Sequence, residues 1–266
     1  MNIELFKDFA INSAKSSGDI LMSYFNSNHD IKKKSSIDLV TKADIESEKN
    51  IIDAIKTNFP KHSIIAEESD LIDNNSNYKW VIDPLDGTTN FVHSLPIFAI
   101  SIALQYKNET ILGVVYNPAY NKCFWAIKNQ GSYQNDTKIS VSNTSHLIDS
   151  LLVTGFPYNQ NKSFDKSFEL FHEFYSKTQG IRRLGAASLD FCFVAMGRFE
   201  GFYEFNLKPW DVCAGDLICR EAGGKTSNWV GQKMPFSGSD IIASNNKIHQ
   251  KMISIIKQKK YSIILN

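Results

Sequence analysis

From Ile3 to Phe25 the apolar residues Phe6, Phe9, Ala10, Ala14, Leu21, Tyr24 and Phe25 fall mostly three and four apart. That is the stripe of an amphipathic helix, with Gly18 as its weak point. A second helical face, Ile51, Ile55 and Phe59, follows Asp44, an Asp placed where helix N-caps occur. The period then changes. Ser63 to Ala66 reads as a short buried strand running into Glu67 and Glu68, and Trp80-Val81-Ile82 reads as the end of another. Ile97 to Gln105, Ile111 to Tyr116 and Lys122 to Ile127 are β-favouring runs separated by short polar turns, and Gly131 to Ser142 continues in the same style. Such runs predict a mainly antiparallel sheet, not a regular βαβ alternation. Past the polar stretch Asn143 to Asp149, the expected order is a strand at Leu151 to Thr154 and a helix with Phe168, Phe171, Phe174 and Tyr175 on one face. A helix from Gly185 to Met196 and a strand at Phe202 to Phe205 follow. A helix headed by Asp211, a strand at Ile241 to Ser244 and a helix carrying Ile248, Met252 and Ile255 close the chain. The polar stretch divides residues 1–266 into expected subdomains of about 1–145 and 146–266.

Composition narrows the classes. With 266 residues and 42% hydrophobic side chains, a substantial core needs no staples. A formal net charge of +1 supplies no global field toward nucleic acid or an anionic membrane. Cys123, Cys192, Cys213 and Cys219 show no Cys-x-x-Cys spacing, which argues against a thiolate zinc site and a disulfide framework. No run approaches the length of a membrane span, and the first residues have no basic n-region. The expectation is a cytoplasmic protein, with Lys32-Lys33-Lys34 on a solvated surface.

Chemistry concentrates in Trp80 to His93, Trp-Val-Ile-Asp-Pro-Leu-Asp-Gly-Thr-Thr-Asn-Phe-Val-His. Pro84 and Gly87 would hold Asp83 and Asp86 on a stiff turn where the strand stops. Taken alone, Asp-Pro-x-Asp-Gly is an ordinary polar turn. Two carboxylates that close, however, repel unless they share a proton or a cation, and an oxygen-only set suits Mg²⁺. Gly87, Thr88, Thr89 and Asn90 then open a possible helix start, whose free N–H groups attract phosphate.

The full string resembles the first signature of the inositol monophosphatase family. Trp210-Asp-Val-Cys-Ala-Gly-Asp-Leu-Ile-Cys-Arg-Glu-Ala-Gly-Gly224 resembles its second, with Cys213 where alanine is usual. Asp38-Leu-Val-Thr-Lys-Ala-Asp44 and Ala66-Glu67-Glu68 match two further segments in the family's order, Ala66 replacing a glycine. The resemblance implies an α/β (α+β) fold, the layered αβαβα sandwich of the sugar-phosphatase type, and a homodimer. It implies a Mg²⁺-dependent, lithium-sensitive phosphoric monoester hydrolase that uses metal-activated water on a small phosphorylated polyol, with inositol monophosphate first among substrates. By position, Glu67, Asp83, Leu85 through its carbonyl, Asp86 and Asp211 would bind two to three Mg²⁺ ions. Thr88, held by Asp44 and assisted by Glu67, would take the proton of the attacking water. Gly87, Thr88, Gly185, Ala187, Glu204 and Asp211 would contact substrate, with Ala186 in place of a usual hydroxyl residue.

Other members cleave fructose bisphosphate, histidinol phosphate or adenosine 3′,5′-bisphosphate. The resemblance also leaves open a non-enzymatic role, a transcription-associated protein binding RNA polymerase or antitermination factors. Arg182 and Arg183 would suit either a dimer contact or such a partner.

Overall fold

The computed structural model describes residues 2–25, 31–33, 39–156 and 162–258. In chain order the elements are α1 (Ile3–Tyr24), β1 (Ile31–Lys33), β2 (Leu39–Thr41), α2 (Lys42–Asn58), β3 (Ser63–Ala66), β4 (Tyr78–Asp86), α3 (Thr88–Val92), β5 (Ala99–Tyr106), β6 (Glu109–Asn117) and β7 (Lys122–Ile127). They continue with β8 (Gly131–Gln134), β9 (Thr137–Ile139), β10 (Leu151–Thr154), α4 (Lys162–Tyr175), β11 (Gly180–Arg182), α5 (Ala187–Ala195), β12 (Gly201–Leu207), α6 (Pro209–Glu221), β13 (Lys225–Ser227), β14 (Ser239–Ser244) and α7 (His249–Ile256). The Lys32 and Lys33 side chains and all of Lys34 lie outside the described atoms.

Strands β3 to β9 form a seven-stranded sheet in sequential order, antiparallel throughout except for the parallel β3–β4 pair. A five-stranded sheet has the order β11-β10-β12-β14-β13, with β10 parallel to both its neighbours. Alternation of side chains along a strand gives each sheet two apolar faces to bury. Ile82, Ile100, Ile102 and Val114 pack under α1 and α2, through Phe6, Ala10, Leu21, Ile51 and Ile55. On the opposite face Val81, Ala99, Ala103, Val115 and Phe124 pack against Leu189 and Cys192 of α5 and Ala214, Leu217 and Ile218 of α6. Those two helices also cover Val153, Phe202 and Ala243 of the second sheet. The far face of that sheet closes on Leu170 and Phe174 of α4 and Met252 and Ile256 of α7. The order of layers is therefore α, β, α, β, α, as expected.

Two expectations change. β4 does not stop before Asp83; it continues to Asp86 with a register shift, Asp83 pairing with Ser101 and Asp86 with Ala99. Pro84, which cannot donate to a ladder, is tolerated because the strand is irregular at that point. Neither Asp44 nor Asp211 is an N-cap. Each sits one turn inside its helix, where its carboxylate accepts the N–H of the true cap residue, Thr41 and Lys208 respectively.

Candidate metal and phosphate site

The site is assembled where α2, the ends of β3 and β4, and the N-termini of α3, α5 and α6 meet. In α2, Asp44 is buried, and its Oδ2 accepts the Thr41 amide at 2.8 Å and the Thr41 hydroxyl at 2.5 Å. Its other oxygen faces the Thr88 hydroxyl, 3.3 Å away. The same hydroxyl lies 3.1 Å from the Leu85 carbonyl, so the single Thr88 proton has two acceptors. Burial pushes the Asp44 carboxyl up to about 6, against the Thr41 hydrogen bonds that pull it down, with the Glu67 charge adding to the rise.

Where β4 becomes irregular, the Leu85 N–H donates to Asp83 at 3.0 Å, closing a turn around Pro84. Asp86 reaches across the chain to the start of α5. Its oxygens accept the Ala187 N–H at 3.2 Å, the Ser188 N–H at 2.7 Å and the Ser188 hydroxyl at 2.5 Å. The N-cap residue of α5, Ala186, has no side-chain acceptor, so a carboxylate from another element satisfies amides that would otherwise stay unpaired. Gly87 follows with φ +89°, and a Cβ there would meet the Ile97 carbonyl oxygen at 2.9 Å; both facts demand glycine. α3 then begins at Thr88.

Asp211 projects from the first turn of α6, and Glu67 stands directly after β3. Burial first, then the charges of Glu67, Asp86 and Asp211, hold Asp83 well above the usual carboxylate range. Burial and then Asp86 do the same to Asp211. Burial lifts Asp86 to about 6 although Ser188 pulls it down. Three acids raised in this way, with the charge of Glu67 acting on each, are close, and a hard divalent cation would relieve them. Among the described residues no three acidic, histidine or cysteine side chains enclose a metal by themselves; Asp86 is turned toward α5 and Asp211 toward Lys208. With the Leu85 carbonyl the set is all oxygen and open, which fits Mg²⁺, a cation that keeps several waters and shares its sphere with substrate phosphate.

Next to the acids lies a second group. Asn90 donates to the carbonyls of Ile97 at 2.7 Å and Leu184 at 2.8 Å, fixing the approach to Gly185, whose φ is +87°. Glu204 comes from β12, and its carboxylate lies against the α-carbon of Gly155, in space a Cβ would fill. Burial lifts Glu204 to about 8, with exposed Arg183 opposing and Asp86 adding to the rise.

The inositol monophosphatase family model matches residues 2–261. The chain belongs to the inositol monophosphatase family. It is 40% identical over 253 residues to an inositol-1-monophosphatase of Synechocystis, covering 94% of this chain and 88% of that one. It is 38% identical over 253 residues to the Nus factor SuhB of Pasteurella multocida, covering 94% and 95% respectively. Among solved structures, the extragenic suppressor protein suhB of Bartonella henselae superposes with a TM-score of 0.92 at 34% identity, over 96% of this chain and 99% of that one. A Thermotoga maritima IMPase gives 0.88 at 33% identity, over 97% and 98%.

The residues that resemblance to the inositol monophosphatase family singled out thus converge from elements far apart in sequence, with two qualifications of detail. The Ala187 N–H is directed at Asp86 and its methyl group is buried in the core with Val153, Phe191 and Phe202, so what it offers the site is its backbone. Ala66 replaces the family's glycine inside β3, paired with Ile82, where extended backbone accepts a Cβ without strain. Ser188, Gly155 and Asp190 were not anticipated. Asp190 of α5 is buried with Oδ1 lacking a hydrogen-bond partner among the described residues, and burial and then Glu204 hold it well above the usual carboxylate range. Nothing in local sequence marks these three, because Ser188 is defined by Asp86 far earlier in the chain, and Gly155 and Asp190 by Glu204 of another element.

Proposed function

We propose that the chain is a Mg²⁺-dependent phosphatase acting on a small phosphate monoester, an inositol monophosphate or a similar phosphorylated polyol. The observation that carries this reading is the crowding of buried Asp83, Asp86 and Asp211 around the charge of Glu67: burial raises all three carboxyls, Glu67 adds to each, and Asp86 adds to both Asp83 and Asp211, in a chain of the inositol monophosphatase family. Glu67, Asp83, Asp86, Asp211 and the Leu85 carbonyl would hold two to three Mg²⁺ ions. Bound there, the cations supply neutralisation of phosphate charge and a water acidic enough to attack at neutral pH.

The chain's own groups do the rest. N–H groups of Gly87 and Thr88 at the head of α3 would orient the phosphate. Thr88 Oγ1 passes its proton toward Asp44 Oδ1 as it receives one, and Asp44, lifted to about 6, is near the basicity that suits proton transfer at neutral pH. Glu204 would bind substrate hydroxyls, and Gly185 and Ala187 would give the polyol a close approach. We read the working state as a cytoplasmic homodimer.

The relatives named as Nus factors favour a second reading, association with RNA polymerase or antitermination factors through a surface such as Arg182 and Arg183. Phosphate release from a panel of monoesters, with Mg²⁺ and with EDTA, tests the first. Turnover with Mg²⁺, its loss in EDTA, and its loss in Asp83→Asn while that variant stays folded, with a midpoint in EDTA no lower than the parent's, are the expected results. A panel giving no Mg²⁺-dependent release overturns the phosphatase reading, and capture of polymerase by the same preparation would then support the second.

A further inference from the structure

One face of α2 touches three separate parts of the site. Asp44 meets Thr88, Ser47 donates to the Pro84 carbonyl at 2.9 Å, and Glu48 accepts the Glu68 amide at 2.8 Å. Positions i, i+3 and i+4 lie on one side of a helix, so a single rigid rod reaches the turn at Pro84, the start of α3 and the end of β3. Ser47 and Glu48 are both buried.

The contact of Glu48 is the most specific of the three. The Glu68 N–H belongs to the peptide plane whose carbonyl is that of Glu67, and the orientation of that plane is the ψ angle of Glu67. On the other side of Glu67, Ala66 is fixed by its pairing with Ile82 of β4. Glu67 is therefore clamped on one side by the sheet and on the other by a buried carboxylate of α2, and the direction of its own side chain follows.

We infer that Glu48 is a positioning residue for Glu67, holding the Glu67–Glu68 peptide so that the Glu67 carboxylate faces the other acids in a geometry ready for a divalent cation. This rests on the reading of Glu67 as a metal ligand. Groups that orient a metal ligand without touching the metal commonly govern affinity by about 10- to 100-fold.

Two conservative variants separate position from charge. Glu48→Gln keeps the reach and a carbonyl oxygen to accept the amide but removes the charge; Glu48→Asp keeps the charge but shortens the side chain beyond the 2.8 Å contact. Mg²⁺ binding measured by calorimetry on the whole chain, beside thermal midpoints in EDTA, gives a readout that does not require turnover. Glu48→Gln should bind Mg²⁺ within about threefold of the parent and Glu48→Asp about 10-fold or more weakly. Where a phosphate substrate is turned over, the Mg²⁺ concentration for half-activation should rise in step for Glu48→Asp. Equal weakening in both variants, weakening only in Glu48→Gln, or unchanged Mg²⁺ binding with lower midpoints in both would each overturn the inference. A parent that binds Mg²⁺ but releases no phosphate would defeat the proposed function and leave this comparison intact.

Discussion

Replacing Asp44 by Asn should make the metal-free protein more stable at neutral pH while slowing its chemistry. The folded carboxyl is lifted from the ordinary 3.8 to about 6, chiefly by burial. The native state therefore holds that proton more tightly than the unfolded chain. The resulting stability is fully present below about pH 4 and is lost as the pH rises through about 6. At about 1.4 kcal/mol per pKa unit the loss is about 3 kcal/mol by neutral pH. Asn is neutral throughout and escapes it, but weakens the capping bonds with Thr41, at about 1 kcal/mol. The difference is about 2 kcal/mol in favour of Asp44→Asn at about pH 7.5 in EDTA, a midpoint higher by about 4–8 °C. Near pH 4.5, where much of the parent carboxyl is protonated, the gap should shrink toward zero or reverse. Thermal melts of both proteins across that range, with EDTA present, read it directly. A variant less stable than the parent by the same amount at every pH would refute the reasoning, because it would make Asp44 a plain helix-capping carboxylate, ionised at no cost.

Thr88→Ala, Asp44→Asn and the double variant should show similarly low Mg²⁺-saturated turnover, because each breaks the same relay; turnover losses that multiply would separate the two side chains. Glu204, lifted to about 8, is mostly neutral near pH 7, so Glu204→Gln should cost about 0.5–1.5 kcal/mol for substrates whose hydroxyls it binds and less for the others, and Gly155→Ala, by displacing the same carboxyl group, should shift the same preferences. A uniform loss across a substrate panel would count against Glu204 as a specificity residue.

The elements were legible wherever periodicity was strong. The α1 stripe, the hairpin runs of β5 to β7 and the helix after Trp210 all appear within a few residues of their expected limits. β13 escaped notice because Lys225-Thr226-Ser227 is three polar residues with no alternation to detect. β4 was expected to end at Ile82, with Pro84 and Gly87 making a stiff turn beyond it, and only pairing with β5 reveals that the sheet continues to Asp86. In the site, the acids were readable as motifs, but their supports were not equally so. Ser47 and Glu48 lie three and four residues after Asp44, so helical spacing alone could have placed them beside it. Ser188 could not be found that way, since its role is defined by Asp86, about a hundred positions earlier in the chain.

The helices α5 and α6 are shared between the two sheets, and this has a bearing on how the chain is made. The face of the first sheet formed by Val81, Ala99, Ala103, Val115 and Phe124 finds its helical cover in α5 and α6, from Ala186 onward. A growing chain completes all seven strands of that sheet by Ile139, yet must carry a bare apolar surface until some fifty to eighty more residues have been synthesised. Contacts of that sequence separation form late and leave intermediates prone to association. A fragment ending near residue 145 would keep Asp44, Glu67, Asp83 and Asp86 and still behave as a sticky, half-covered sheet. The interval between translation of β9 and translation of α6 is therefore where a chaperone covering that face would help most.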